Sequence, residues 1–321
     1  MEKKKTREEV LEKVSKSGDL LSFYPEYKDD EEIAFNAVLN WGQAIRDVSE
    51  RLRDNESLGI IAANDDPMAT NLSFLSQRLR DNERIVSLYV IKHGCSIFFA
   101  SERLRDNKEI ARKAVKSNGI SLSFLSERLK DDKEIVLIAC HENGESLQYA
   151  SERLRDDEDV VKTALLSNGG GENIYYASDR LKDDFDMALV AVTSPHNRGF
   201  NNTLSFLSDD LRDDKQIVFA AVLNSPRSLM NVSDRLKDDY YIVSAAFEKD
   251  HSTLGFASER LQINPEFIGP WLEEKLEEDD SYVLKHIILK GLQELYEQKG
   301  YNQDVKVTKK LTKSMENEDN K

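Results

Sequence analysis

Two cysteines, six prolines and no long apolar run in 321 residues set the first limits on this chain. Cys95 and Cys140 have no CxxC spacing and fall at different places in the repeat described below. They build neither a disulfide framework nor a zinc site, and both read as reduced thiols. No stretch approaches the roughly 20 apolar residues of a membrane span. Met1 to Lys16 is charged throughout and lacks the apolar core of a secretion signal, so the expectation is a cytoplasmic chain without membrane contact. Basic charge is also short: 45 Lys and Arg stand against 60 Asp and Glu, a net charge of −15. Phosphate-rich partners need clustered cations, which argues against a nucleic-acid binder and favours a protein partner of basic or mixed charge. With 39% hydrophobic and 33% charged residues, the chain is too polar for one thick core and suits a thin, repeated one.

What is present is an internal repeat. Ser-x-Arg-Leu-Arg/Lys-Asp-Asn/Asp begins at Ser76, Ser101, Ser126, Ser151, Ser178 and Ser233, with looser copies at Tyr24, Ser49, Ser208 and Ser258. Successive starts are 25, 27, 25, 25, 25, 27, 30, 25 and 25 residues apart, a series that marks a stacked-repeat architecture. Four positions before the start stands an aliphatic residue such as Leu122 or Leu147, and three after it a leucine such as Leu129 or Leu154. This spacing predicts a first helix of about nine residues with the Ser in its middle. Asp19, Asn71, Ser96, Ser121, Ser146, Asn173, Thr203, Ser228 and Thr253 stand where its N-cap would be, and only Ala44 departs.

A second helix follows, with apolar residues nine, ten, thirteen and fourteen after the start, as in Ile135, Val136, Ala139 and Cys140. Its entry is a double Asp/Asn. Asp106 with Glu109 has capping-box spacing, and the second member of the pair is the alternative cap. Asn118-Gly119, Asn143-Gly144 and Asn168-Gly169 are expected to end it in a left-handed turn. Alanine holds position thirteen from Ala37 to Ala246, where a small side chain lets helices approach closely; Tyr89 and Trp271 break the rule. Helices this short do not persist alone in water, so the units must stack. The fold expected is all-α, an α-solenoid of about ten 25-residue two-helix repeats. Residues 1–18 form an N-terminal capping helix opening on the capping box Thr6 to Glu9, 19–272 the array, 273–299 a C-terminal capping helix, and 300–321 a disordered tail.

The run Leu122-Ser-Phe-Leu-Ser-Glu-Arg-Leu-Lys-Asp-Asp-Lys-Glu-Ile-Val136, followed by Ala139 and Asn143-Gly144, resembles the repeat of the domain of unknown function 4116 family. The family's unit corresponds to two of the 25-residue units, and the likeness runs from about Leu20 to Leu272. It implies the helical-repeat fold and brings no established activity, substrate or catalytic residue. The chain departs from the pattern at Asp210, which replaces the usual Arg, and at Gln262-Ile263.

Signals that might carry chemistry read as structure. The recurring Ser has no recurring His or Lys as base, and is expected to bond to backbone or to a nearby carboxylate. The paired acids lack a calcium-loop pattern and read as helix caps. Cys140 and His141 are adjacent on one helix and point about 100° apart. Gly169-Gly170-Gly171 is not followed by the Lys-Ser/Thr of a phosphate loop and reads as a slack connector. Aromatic–Arg pairs such as Phe124 with Arg128 could form a cation–π stripe; the structural alternative is a core ring covered by an Arg that pairs with a recurrent Asp.

No catalytic, cofactor or metal residue is therefore expected, and the chain reads as a non-enzymatic protein–protein interaction scaffold. Its rivals are a stoichiometric inhibitor or regulator of a partner enzyme, and an enzyme with its site in residues 266–299. Partner contact is expected where the repeat is broken. Longer connectors occur near Asp65 to Thr70, Gly169 to Asn173 and Ser194 to Asn202, and the last, with the nearby Arg-to-Asp change, singles out His196, Arg198, Phe200 and Asp210. Charge is uneven as well: residues 76–125 sum to +5 and residues 126–257 to −10.

Overall fold

The structure, a computed structural model, describes residues 5–196 and 203–264 and the single positions 267, 293, 297, 306 and 309. Nearly all of the expected C-terminal helix and tail, and Trp271, therefore lie outside the described residues. Every regular element among the described residues is helical. The chain divides into two compact units, residues 1–198 and 199–321.

In the first unit a helix, Arg7–Lys16, opens on the expected capping box between Thr6 and Glu9, buries Val10 and Val14, and packs on the helix Glu31–Asn40. A three-part cycle then repeats. One full turn of it is a 3-10 helix Gly94–Phe99, a four-residue α-helix Glu102–Arg105, and a ten-residue α-helix Lys108–Ser117. The next turn is Gly119–Phe124, Glu127–Lys130 and Lys133–Glu142. Long helices pack on the long helices before and after them, and 3-10 segments on neighbouring 3-10 segments. The positions at helical spacing form the core: Leu122, Leu129, Ile135, Val136, Ala139 and Cys140 are all 0% exposed. Each large aliphatic among them contributes roughly 1.5–3 kcal/mol on burial, which is what holds together helices too short to stand alone. The second unit repeats the cycle through Asp209–Arg212, Lys215–Asn224, Pro226–Asn231, Asp234–Lys237 and Tyr240–Lys249. There Phe267 closes on Tyr240 and Phe247 with ring centroids 5.4 Å from each.

The expected first helix is not continuous. It breaks just before the recurring Ser, where Ala100 and Ser101 are extended at φ −70, ψ 162 and φ −61, ψ 158. The reason is a change of hydrogen-bonding partner. Ser101 N–H donates to Arg80 O of the preceding unit at 2.9 Å, so it bonds across the stack instead of along a helix. The Ser is the N-cap of the short helix, its Oγ accepting from Leu104 N–H at 3.3 Å.

The residues expected as N-caps of the first helix are not caps of an α-helix. Ser96, Ser121 and Ser146 sit buried within the 3-10 segments. Ser121 and Ser146 must be small because a glycine of the preceding unit lies on each: a Cβ on Gly94 would stand 2.5 Å from Ser121 Oγ and 2.2 Å from Ala114 O. Those glycines serve close approach and not a left-handed stop. Asn118 is extended at φ −157, ψ 113, and positive φ among the described glycines occurs only at Gly169 and Gly170. At the double acid, the second member is the cap of the long helix, as at Asn107 and Asp132. Alanine at position thirteen is buried as expected, and the exception Tyr89 is fitted by donating its hydroxyl to Gly59 O at 3.0 Å.

Candidate binding surfaces

With the second acid used for capping, the first is left for another purpose. Asp106 accepts a hydrogen bond from Ser126 Oγ of the following unit and a second, at 3.0 Å, from Arg128 Nε, while Arg128 Nη2 donates to the Asp106 carbonyl at 2.6 Å. The same group recurs as Asp81 with Ser101 and Arg103, and in the second unit as Asp238 with Ser258 and Arg260. In several copies the Arg also reaches a glutamate two residues further on, as Arg103 does to Glu83 at 3.0 Å. The Ser hydroxyl, then the guanidinium, hold Asp106 and its equivalents below the usual carboxylate range. A second row joins long helices, with Lys108 Nζ 2.7 Å from Asp132 and Lys133 Nζ 2.9 Å from Asp157.

This ladder absorbs most residues that could be taken for a reactive site. The recurring Ser is committed to an amide and a carboxylate. Its arginine turns to the preceding unit's Asp, and the aromatic two residues before the Ser, such as Phe99 or Phe124, is half-buried instead of fully core. Cation–π contacts among the described residues lie elsewhere, as at Arg46 over Trp41 and Lys182 over Tyr175. Cys140 is buried, and burial pushes its thiol up to about 12. His141 beside it is exposed. No group of three potential metal ligands occurs among the described residues, and no described helix is long and apolar enough to cross a membrane.

Of the residues expected to contact a partner, His196 is exposed at the end of the described part of the first unit. Asp210 is exposed on the short helix Asp209–Arg212 of the second. Arg198 and Phe200 lie outside the described residues. The other two long connectors are built structures, not slack. Asp66 is 4% exposed and accepts from the amides of Thr70 and Asn71 at 2.9 and 3.1 Å. Burial nevertheless pushes its carboxyl above the usual range. Gly169 and Gly170 turn at φ 96 and 62, with Asn173 Nδ2 donating to Ala164 O at 2.8 Å.

One surface was not singled out by the sequence pattern. Large apolar side chains stand exposed fifteen positions after the repeat start: Leu39 at 70%, Ile91 at 57% and Leu166 at 47% in the first unit, and Leu223 at 41% in the second. All lie in the last turn of a long helix or just past it, at a register that other units fill with Asn64, Lys116, His141 and Thr193. That mixture hides the row from a search for repeated residues.

The chain has no match among curated proteins or among solved structures. The model of the family described as Domain of unknown function (DUF4116) matches residues 82–130, 107–155, 132–170 and 196–237. The first three matches start at Asn82, Asn107 and Asp132, each the N-cap of a long helix. The first two end at Lys130 and Arg155, each the last residue of a short helix. The family unit thus spans two turns of the cycle and advances by one. Over residues 82–170 and 196–237 the chain is similar in sequence register to the DUF4116 repeat family.

Proposed function

We propose that this chain is a non-enzymatic scaffold for protein–protein interaction, taking a partner of basic or mixed charge. The supporting observation is the recurrence of exposed Leu39, Ile91 and Leu166 at one register of the first unit. Side chains that point outward at one register of stacked helices, here two and three units apart, form an extended edge of the kind helical repeats offer to partners. Large apolar residues there cost solubility unless something covers them. The commitment of the Ser, Arg and Asp ladder to stacking supports a role without catalysis. A second contact region is the connector Pro195 to Asn202, carrying His196, Arg198 and Phe200, with Asp210 after it.

The test is affinity capture with the full chain, comparing wild type with a triple Leu39→Ser, Ile91→Ser, Leu166→Ser variant and with a variant whose connector is cut to the usual length. All positions are exposed or in a connector, so far-UV circular dichroism should be unchanged. A stoichiometric partner recovered by wild type and lost from the triple variant supports the edge; loss from the trimmed variant supports the connector. Recovery of no partner above background, or equal recovery by all three, would sink the scaffold reading.

A further inference from the structure

Between the short helices Gln77–Arg80 and Glu102–Arg105 runs a groove of about 750 Å³, floored by Phe99 and Ala100 and flanked by Arg78, Arg80, Arg103 and Arg105. Two of the four guanidiniums are spoken for. Arg78 is held by Asp54 and Glu56, and Arg103 by Asp81 and Glu83, at 3.0–3.2 Å. The other two face a different situation. In five units the base four after the start pairs with an acid three residues earlier: Arg105 with Glu102, Lys130 with Glu127, Lys182 with Asp179, Arg212 with Asp209 and Lys237 with Asp234; Arg53 and Arg155 follow Glu50 and Glu152 without pairing to them. From Ser49 onward, the position of that acid is neutral in one unit alone, where Gln77 precedes Arg80.

Arg80, with no acid at that position, makes no ion pair with any described residue, and its buried Nε has no hydrogen-bond partner. Arg105 is held loosely, 3.9 Å from an almost wholly exposed Glu102, and its Nε is likewise buried and unpartnered. The orphan Nε is common to the arginines at this position in other units and belongs to the packing. What is particular to this groove is the missing acid. Phe98, next in the chain to the groove's Phe99, is 53% exposed and stands edge-on to Phe99 and tilted against Phe124, with centroids 5.1 Å from each. The groove also lies in the stretch 76–125 that sums to +5 in a chain of net −15.

We infer that this groove binds an acidic peptide segment, one carboxylate pairing with Arg80 and Arg105 and a neighbouring apolar side chain resting on Phe98 and Phe99. This rests on the scaffold reading and specifies part of it: the mixed-charge partner presents its acidic segment here. A guanidinium fork matches a carboxylate in two parallel hydrogen bonds, and the half-buried setting of Arg80 shields the pair from salt more than a surface bridge would be. The exposed rim of Gln77 and Glu102 leaves the groove open to a passing chain.

The test uses a fluorescein-labelled peptide of four glutamates around one phenylalanine, with a lysine counterpart, titrated into the full chain and followed by anisotropy. Gln77→Glu is the informative variant. It restores the acid that other units carry, so it should fold as well as wild type by thermal melt, while placing beside Arg80 a carboxylate that competes with the peptide for it. Saturable binding of the glutamate peptide, weakened at least about tenfold in Gln77→Glu and in Arg80→Gln, and weakened by added salt, supports the site. No saturable binding by wild type, equal binding of the lysine peptide, or unchanged affinity in Gln77→Glu overturns it. If Gln77→Glu still captures the cellular partner while the triple edge variant does not, the groove fails and the scaffold reading stands.

Discussion

A regular connector and a lengthened one meet the same geometric demand by different means. At the regular step, Asn118 N–H donates to Ala114 O at 2.9 Å, and the backbone runs extended into Gly119, which seats under the next unit. At the step after Asn64 the chain is two residues longer, and Asn71 takes over. Its Nδ2 donates to Ala62 O at 3.0 Å and to Asp65 O at 2.9 Å, while Asp66 gathers two amides and Ala69 adopts φ 57. The other 27-residue step repeats the device with Asn173 on Ala164 O. The carbonyl of the position-thirteen alanine is thus satisfied either way, by backbone or by an asparagine side chain. An insertion is tolerated when it brings its own donor, because a buried acceptor left unpaired is costly.

The comparison is best broken at its tightest point. Gly119→Ala puts a Cβ 2.3 Å from Ala139 O and 2.7 Å from Ser146 Oγ, and should cost about 3 kcal/mol as overpacking. Gly255→Ala, with nothing within 4 Å of its Cβ, should be close to neutral. Urea denaturation of the two variants measures the gap, and equal midpoints would show that the glycine column is not a contact constraint.

Next in size, Asn71→Ala should cost about 1–3 kcal/mol by leaving two carbonyls without their donor, and Asn173→Ala should cost less, because Ala164 O keeps the Ser167 hydroxyl at 2.9 Å. Amide exchange would register the loss first in the connectors, at Thr70 and Asn71 or at residues 168–173. Uniform weakening along the chain would mean that the asparagine does not act locally.

Ser126→Ala comes third, at about 1 kcal/mol, since it removes an N-cap and one bond to Asp106. Guanidinium melts should place it below Asn71→Ala.

The smallest effect is one of sign. Asp106 and its equivalents are held below the ordinary carboxylate pKa by Ser and Arg, so their contribution is complete above the unfolded value of about 3.9 and lost as pH falls through the lower folded value. Asp66 is raised by burial. Its contribution is present below the unfolded value and lost as pH rises through the folded one. Stability measured from about pH 3 to pH 7 should therefore change slope in opposite senses for Asp106→Asn and Asp66→Asn, and the same sense in both would contradict the opposed environments.

Much of this architecture was legible in the order of residues. Leu122, Leu129, Ile135 and Val136 recur at helical spacing because burial on one face needs it, and the N-terminal capping box is a local signal confined to Thr6 and Glu9. The break in the expected first helix was not legible, since Ala100 and Ser101 are compatible with a helix interior and are drawn out of it only by Arg80 O of the preceding unit. The left-handed stops expected at Asn118-Gly119 and Asn143-Gly144 misread glycines whose small size matters to a neighbour one unit away, whereas Gly169 does adopt the left-handed conformation. The groove at Arg80 had a trace in the sequence, Gln77 in an otherwise acidic column, but its meaning depended on knowing that the acid pairs with the base three residues on.

The sequence by itself determined the period, the helical content and which side chains are core, because these follow from spacing along one chain and from the need of short helices to stack. The tertiary structure alone decided that Ser126, Arg128 and Asp106 form one group. They stand 20 and 22 residues apart, far beyond the reach of any helical turn, and only the stacking of one unit on the next brings the hydroxyl, the guanidinium and the carboxylate within hydrogen-bonding distance.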